Sequence, residues 1–414
     1  MRHPLKYKPA ITGVGCISAA GINTGEHLVT INQKNRNAQH VPDWLFHTQK
    51  KFPVFICPQQ ALTETGQNLL QSFKLDIGKI SIGRTAKLLF SAVAEAIEMS
   101  GLKIADLQKK RVGVAIGTTV GCAFNDENYY QAFKQGFNPP LNPVLNYLNS
   151  NLAYWLQTVI GVEGPSMVIT NACASGADAI GIAASWLASD LCDIAIAGGA
   201  DELSRIAYNG FIALQLYDHS PCRPFDKDRN GLNLGEGAGI VILEKENRVT
   251  KKDKIIGWLL GYGICSDAWH PTAPHPEGQG IVKAVTIAIE EAGDANLKFN
   301  LINAHGTATK ANDVAETNAL AVILNAQRNE TPIISTKGIT GHTLGAAGAI
   351  EAILTLFSLK QETTDGTVGC HEIDPSLKVK PLSEPERVKL TGKIGLSQSL
   401  AFGGGNSALI VEAN

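Results

Sequence analysis

The chain contains one unit twice. Residues 167–187, MVITNACASGADAIGIAASWL, read as the end of a buried strand, a turn holding Cys173, and a helix rich in Ala and Gly. Residues 333–356, IISTKGITGHTLGAAGAIEAILTL, repeat strand, turn and small-residue helix, with His342 in the turn. The restart begins at Lys254: IIGWLLGYGICS matches the opening strand KPAITGVGCIS, and LINAHGTAT matches the Gly-Thr strand end of VGVAIGTTV. A duplicated βαβ-rich unit cannot cover its own faces, so the halves must share a core. The pattern predicts a layered α/β protein with halves 1–253 and 254–414 and a central pair of buried helices. Cys173 and His342 then occupy corresponding turns, and the symmetry itself brings them together.

Composition narrows the function. At 414 residues the chain exceeds one ordinary core. A net charge of −2 without a basic cluster leaves no electrostatic footprint for nucleic acid. The eight cysteines form no CxxC pair and no zinc spacing with histidine, which predicts no metal site and a reducing compartment. The start, MRHPLKYKPAITGVG, has only a short apolar run, and the apolar stretches near Cys173 and Gly345 are broken by polar residues and Gly. The expectation is a cytoplasmic protein without a membrane span. The Gly-rich stretch 223–246 does not follow a strand and open a helix, so the dinucleotide-binding fingerprint is not met.

Between these landmarks the spacing predicts helices over 24–33, 84–101 and 279–293, and strands over 8–18, 111–118 and 192–198. Residues 34–75 read as loops with short elements. Residues 125–154, rich in Asn, Tyr and Pro, read as an insertion carrying short helices.

The chemistry centres on Cys173. At a strand-to-helix junction, unsatisfied N–H groups and the positive end of the helix dipole favour the thiolate. A buried structural cysteine is the alternative and the commoner fate. His305, in NAHGTAT at a strand end, and His342, just before a helix, could each be core histidines; their recurrence at corresponding units favours function. One thiol with two imidazoles suggests acyl transfer through a thioester and a step that stabilises an enolate or oxyanion.

In order and spacing, ACASGA, RPFDKDRNGLNLGEGAG, NAHGTATKANDVAE, STKGITGHTLGAAG and FGGGN resemble the motifs of elongating-type β-ketoacyl-acyl-carrier-protein synthases. These are condensing enzymes of the thiolase-like fold, and the resemblance spans nearly the whole chain. It implies two pseudo-symmetric halves in five alternating layers. It implies that Cys173 takes the acyl chain, that His305 and His342 stabilise a decarboxylating malonyl thioester, and that Lys337 and Glu351 support them. Phe402 matches the gate, its N–H forming an oxyanion hole with that of Cys173. Thr307 and Thr309, and more weakly Thr272, match hydroxyls that bind the phosphopantetheine arm, and Val120 matches an acyl-pocket position at the dimer contact. No cofactor is implied beyond that arm. The implied partners are an acyl carrier protein and a second subunit, identical or chain-length-factor-like, with no nucleic acid and no membrane.

The sequence also departs from the family. Ala401 and Gly405 flank the gate loop where relatives carry Gly and Ser or Thr, and Gln215 and Leu216 stand where many place an Arg on the carrier-docking face. Arg84 and Lys87 are candidates for meeting an acidic carrier. A catalytically silent partner subunit lacks the active cysteine. A degradative thiolase needs a second reactive cysteine near the chain end, and starter-unit synthases pair Cys with one His and an Asn. Fatty-acid and type II polyketide or polyene synthesis both remain open, with segments 34–75 and 125–154 favouring a dedicated pathway.

Overall fold

The computed structural model describes residues 8–59, 83–121, 127–149, 151–249, 251–327 and 331–414. Parts of two segments read above, residues 60–75 and residues 125, 126 and 150, lie outside the described residues.

Strand β1 (Pro9–Ser18) is buried along its whole length. Helix α1 (Thr24–Gln33) follows, its first turn capped by the Asn23 side chain accepting from the N–H of Glu26. Helix α2 (Arg84–Ser100) lies directly on β1 because Gly13 and Gly15 have no side chains; a Cβ on either would collide with the carbonyl oxygens of Ala96 and Ala92. The second half repeats the device. Gly261 and Gly263 on one strand meet Ala288 and Ala284 on one helix in the same way.

The first half continues with β2 (Val112–Gly117), α3 (Glu127–Lys134), α4 (Asn142–Asn149), α5 (Leu152–Ile160), β3 (Ser166–Ile169), α6 (Ser175–Ala188), β4 (Ile194–Asp201), α7 (Arg205–Ala213) and β5 (Gly237–Lys245). The second half runs β6 (Gly257–Ser266), α8 (Gln279–Ala292), β7 (Leu301–Asn303), α9 (Lys310–Gln327), β8 (Ile333–Ile334), α10 (Lys337–Thr340), α11 (Ala347–Lys360), β9 (Ile394–Ala401) and β10 (Gly405–Ala413).

Strand order is β8-β7-β9-β10-β6-β1-β5-β4-β2-β3, so one five-strand pattern appears twice and meets itself at β6 and β1. In each half the two outer pairings are parallel and the two inner ones antiparallel. The join is short: Ala10 faces Trp258 and Ile11 faces Gly257.

Three cores establish the layers. Between the half-sheets, α6 and α11 bury Ile180, Ala183, Ile350 and Ile353 against Val14, Ala195, Val241, Leu259 and Leu409. The outer face of the first half packs Ile196, Ile240 and Ile242 under Leu89 and Val93 of α2. The outer face of the second packs Ile302, Leu396 and Ile410 under Val285 and Ala288 of α8. On β5, Ile240 and Ile242 face one core and Val241 and Leu243 the other, the two-residue period of a strand covered on both sides. The result is helices, sheet, helices, sheet, helices: the α/β thiolase-like architecture in five layers.

The strand before Cys173 differs from expectation. β3 is the edge of the sheet, with Ser166 and Met167 exposed, since it pairs only with β2. Helix α5, at the end of the expected insertion, belongs to the core, burying Leu152, Ala153, Leu156 and Ile160.

Candidate active site

Cys173 sits in a one-turn 3-10 helix, Ala172–Ala174, that feeds α6. Its counterpart, Leu344–Ala346, feeds α11, and the entry residues Ala172 and Leu344 share the left-handed backbone region at φ 43° and 51°. Few non-glycine residues adopt this conformation, and its recurrence marks the duplicated turn. By that register Gly345, not His342, is the symmetry mate of Cys173; His342 precedes its turn by two residues. The offset lets the imidazole lean over the sulfur, with Nε2 3.0 Å from Sγ.

The motif RPFDKDRNGLNLGEG explains how His342 is held. The N–H of His342 donates to Asn233 O at 2.8 Å, and its carbonyl accepts from the N–H of Gly235 at 2.9 Å. Asn233 in turn donates from Nδ2 to Asp218 O at 3.0 Å.

His305 follows β7 and is fixed by Glu316 and Lys337. Glu316, about two turns into α9, accepts from the N–H groups of His305 and Gly306 at 2.6 and 2.8 Å. Lys337 Nζ reaches His305 Nδ1 at 3.1 Å and His305 O at 2.5 Å, and it pairs with Glu351 on α11. Lys337 is 1% exposed, so it is a buried strut rather than a loop lysine.

The Cys173 sulfur and one ring nitrogen from each histidine lie within 4.8 Å of one another. The imidazole planes stand at 85° with centroids 5.2 Å apart. Burial, then the charge of Lys337, holds both histidines well below their ordinary value, so both are neutral at pH 7. Burial likewise pushes the Glu351 and Glu316 carboxyls up to about 7.

The expected resting thiolate is not what the surroundings favour. Burial pushes Cys173 up to about 12, against the opposing pull of Lys337 and of the Phe402 N–H hydrogen-bonded to it. Removing water from the thiolate outweighs the helix end and the one nearby cation.

A cavity of about 310 Å³ opens above the three side chains, with Thr272, Thr307, Thr309 and Phe402 on its wall. The hydroxyls of Thr307 and Thr309 are 2.9 Å apart. Thr272 sits at the loop end, its N–H donating to His270 Nδ1 at 3.1 Å. The Phe402 ring stacks on Phe211 at 5.2 Å. Val120 is off this wall: it packs at the rim of the apolar cluster that holds Phe211 and Phe402, and its N–H donates to Asp201 at 3.1 Å. Arg84 is not a docking residue, because its side chain is mostly buried, donates to Glu236 at 2.7 Å and lies under the Trp44 ring. Lys87 is exposed on α2.

Two supports escaped the sequence reading. Glu316 ends the quoted motif NAHGTATKANDVAE, and an acid thirteen residues past Asn303 was the available signal. Asp201 accepts from the Thr118 hydroxyl and from the N–H groups of Thr119 and Gly345 at 2.6, 2.8 and 2.6 Å, tying the first-half loop to the second-half turn. An acid closing the apolar run IAIAGGAD was its only mark.

A fold of two repeated halves, with a cysteine and a histidine before the two central helices and a second neutral histidine at a strand end beside them, defines a condensing-enzyme class. The chain belongs to the beta-ketoacyl synthase family: the N-terminal domain of that family matches residues 8–248 and the C-terminal domain residues 256–371. It is similar to 3-oxoacyl-acyl-carrier-protein synthase 2 of Vibrio cholerae serotype O1, 34% identical, covering 98% of this chain and 99% of that one. The Coxiella burnetii protein of the same name is 32% identical over the same shares. Among solved structures, the ishigamide ketosynthase/chain length factor superposes with a TM-score of 0.87 at 27% identity over 99% of each chain. The ketosynthase ApeO in complex with its chain length factor ApeC, from Xenorhabdus doucetiae, gives 0.80 at 29% over 100% of each. No helix among the described residues is long and apolar enough to cross a membrane.

Proposed function

We propose that this protein is a β-ketoacyl-acyl-carrier-protein synthase that condenses a Cys173-bound acyl chain with malonyl-acyl-carrier protein. The observation that carries this reading is the convergence of Cys173 Sγ, His305 and His342 within 4.8 Å at the floor of a cavity.

In the first half-reaction the Cys173 sulfur attacks the carrier-bound thioester. Its proton departs with the phosphopantetheine thiol, while the Nε2–H of His342, 3.0 Å away, steadies the negative charge that develops on the sulfur. The N–H groups of Cys173 and Phe402 hold the oxyanion, donors of this kind being worth about 3 to 4 kcal/mol each. Malonyl-acyl-carrier protein then enters, and the hydroxyls of Thr307, Thr309 and Thr272 bind its arm. As CO2 leaves, the electrons of the broken C–C bond pass to the thioester oxygen, where His305 and His342 donate N–H. The resulting enolate carbon attacks the acyl carbonyl, the Cys173 sulfur leaves as thiolate and takes a proton from solvent water, and the β-ketoacyl chain stays on the carrier. Neutral imidazoles suit this step, and the chemistry calls on no group beyond the phosphopantetheine arm.

The same reading divides the chain into halves 1–253 and 254–414, one supplying the nucleophile and the other both histidines. It also implies a dimer, with an identical chain or a chain-length-factor-like sister. Tyr130, Phe133, Phe137, Leu141 and Met167 are exposed, and Met167 lies on edge strand β3, whose open edge is available to a partner. A silent chain-length subunit is the second reading; the reactive cysteine set against a histidine disfavours it. Intact-mass measurement after mixing with acyl carriers tests the proposal: a Cys173 adduct and CO2 release from malonyl carrier support it, and the absence of both refutes it.

A further inference from the structure

Gly405 closes the 401–406 loop, and its backbone is not the reason for a glycine there. Gly403 and Gly404 take φ of 85° and 81°, a left-handed pair that suits glycine, whereas Gly405 does not. Gly405 is constrained by space. A Cβ there would lie 2.8 Å from Asn171 Oδ1 and 3.0 Å from its Nδ2, too close for a methyl group.

Asn171 is held in that position. Its Nδ2 donates to Asp178 Oδ2 at 2.7 Å. Asp178, 2% exposed on α6, accepts through Oδ1 from the Tyr262 hydroxyl at 2.9 Å and from the Ser407 hydroxyl. Ser407 lies two residues past Gly405. Asn171 lies two residues before Cys173, its N–H donating to Ser175 Oγ at 2.8 Å and its carbonyl accepting from the N–H of Ala174 at 3.0 Å. One buried carboxylate therefore fixes the entry to the nucleophile turn and the exit of the gate loop, and the Asn171 amide fills the space between them. On the outer side of this contact Asn171, Asp178, Gly403 and Gly405 border a second cavity of about 420 Å³, which leaves room for the loop to shift.

We infer that Asn171, held by Asp178, is a positioning residue that seats the 401–406 loop against the Cys173 turn, with glycine at 405 its required complement. The pair sets where the Phe402 ring and N–H stand relative to the sulfur, and so governs admission of the acyl chain. In this chain the carboxamide takes the place that a Ser or Thr side chain at 405 would claim. The inference rests on the ketosynthase reading and concerns its acyl-transfer half only.

The test is a double-mutant cycle on the full chain with Gly405→Ser, Asn171→Ala and the pair together. It reads single-turnover acylation of Cys173 from short and long acyl carriers by intact mass, and CO2 release from malonyl carrier. Gly405→Ser is expected to slow acylation about tenfold or more, as a misplaced catalytic group does. CO2 release, which depends on His305 and His342, should stay within about twofold. Adding Asn171→Ala should return acylation to within about threefold of the parent, a coupling that independent sites would not show. A double variant as slow as Gly405→Ser, or a Gly405→Ser protein as fast as the parent, overturns the inference. If Gly405→Ser fails to fold, recovery of soluble protein in the double variant supports the pairing and continued failure refutes it. A parent protein that takes up no acyl group would count against the ketosynthase reading, and recovery of thermal stability in the double variant would still report on the pair.

Discussion

Lys337 Nζ lies 3.1 Å from Nδ1 of His305, and an ammonium group has no lone pair, so it can only donate. The ring proton of His305 is therefore on Nε2, the nitrogen turned away from the lysine. A second bond from the same Nζ to His305 O, at 2.5 Å, fixes backbone and ring together. Under the proposed function a developing enolate needs a neutral donor aimed at the substrate, and the lysine selects the tautomer that would provide it.

Replacing the lysine tests this selection. Lys337→Met should lower CO2 release from malonyl carrier about 100-fold, since His305 becomes free to carry its proton on Nδ1. Lys337→Arg should not rescue it, because a planar guanidinium cannot fit a site 1% exposed and shaped for a point charge. The variant also leaves Glu351 buried alone, although its carboxyl, already near 7, can take up a proton. Lys337→Met with Glu351→Met should therefore regain thermal stability without regaining decarboxylation, measured by calorimetry and CO2 release.

Glu316 carries no expected chemistry, yet two backbone donors depend on it. Glu316→Ala strands both N–H groups in a dry interior, at about 1 to 3 kcal/mol each. The loop holding His305 and Thr307 should loosen and decarboxylation should fall about tenfold or more, with kcat lost and KM for malonyl carrier raised as well. Glu316→Gln keeps one acceptor oxygen and should lose less in both urea midpoint and rate.

These supports show how far a sequence can be read. The Cys173 and His342 turns were legible because small residues recur at helix starts that must approach closely, and β1 and β6 because the same strand pattern recurs at the restart. Position within the turn was not: a repeat announces that two turns correspond, whereas the three-residue offset that sets imidazole over thiol depends on backbone at Ala172 and Leu344. Thiol ionisation was misjudged because the helix end is visible in sequence and the depth of burial is not. Arg84 looked like a surface cation since its partner Glu236 is 152 positions away.

Acid should weaken the protein through His27. This side chain is 0% exposed, its Nδ1 donating to Asn23 O at 2.8 Å and its Nε2 facing the Ser18 hydroxyl at 2.7 Å. Burial lowers it from 6.5 to about 4, against opposing contributions from the Asn23 carbonyl and Glu26. Between those values the unfolded chain binds a proton that the folded chain does not, so stability is intact above 6.5 and is lost as pH falls toward 4. The full loss is roughly 3 kcal/mol. Buried carboxyls such as Glu316 push the other way in the same window, and comparison with His27→Gln removes them from the measurement. Urea midpoints of the two proteins should run parallel above about pH 7, with the variant gaining on the parent below it.

The neutral face beside the entrance should set how the carrier is recognised. Helix α7 and the two residues after it expose Ile206, Asn209, Gly210, Ala213, Leu214 and Gln215, none of them charged. Gln215 and Leu216 reach the cavity wall with Thr272, so a carrier feeding its arm to Cys173 passes over this face. Ile206 is 69% exposed and Leu214 46%, which offers apolar contact where an Arg would offer charge. KM for an acidic carrier should then vary only weakly with ionic strength, because none of the exposed residues of α7 is charged and Lys310 is the one exposed cation among the described residues lining the cavity. Gln215→Arg should lower KM about two- to fivefold at low salt, the worth of one exposed ion pair. That gain should vanish at about 0.5 M salt, where the Debye length is shorter than the span of the contact. A parent KM that climbs steeply with salt would show that charges elsewhere, with Lys87 the first to examine, do the steering instead.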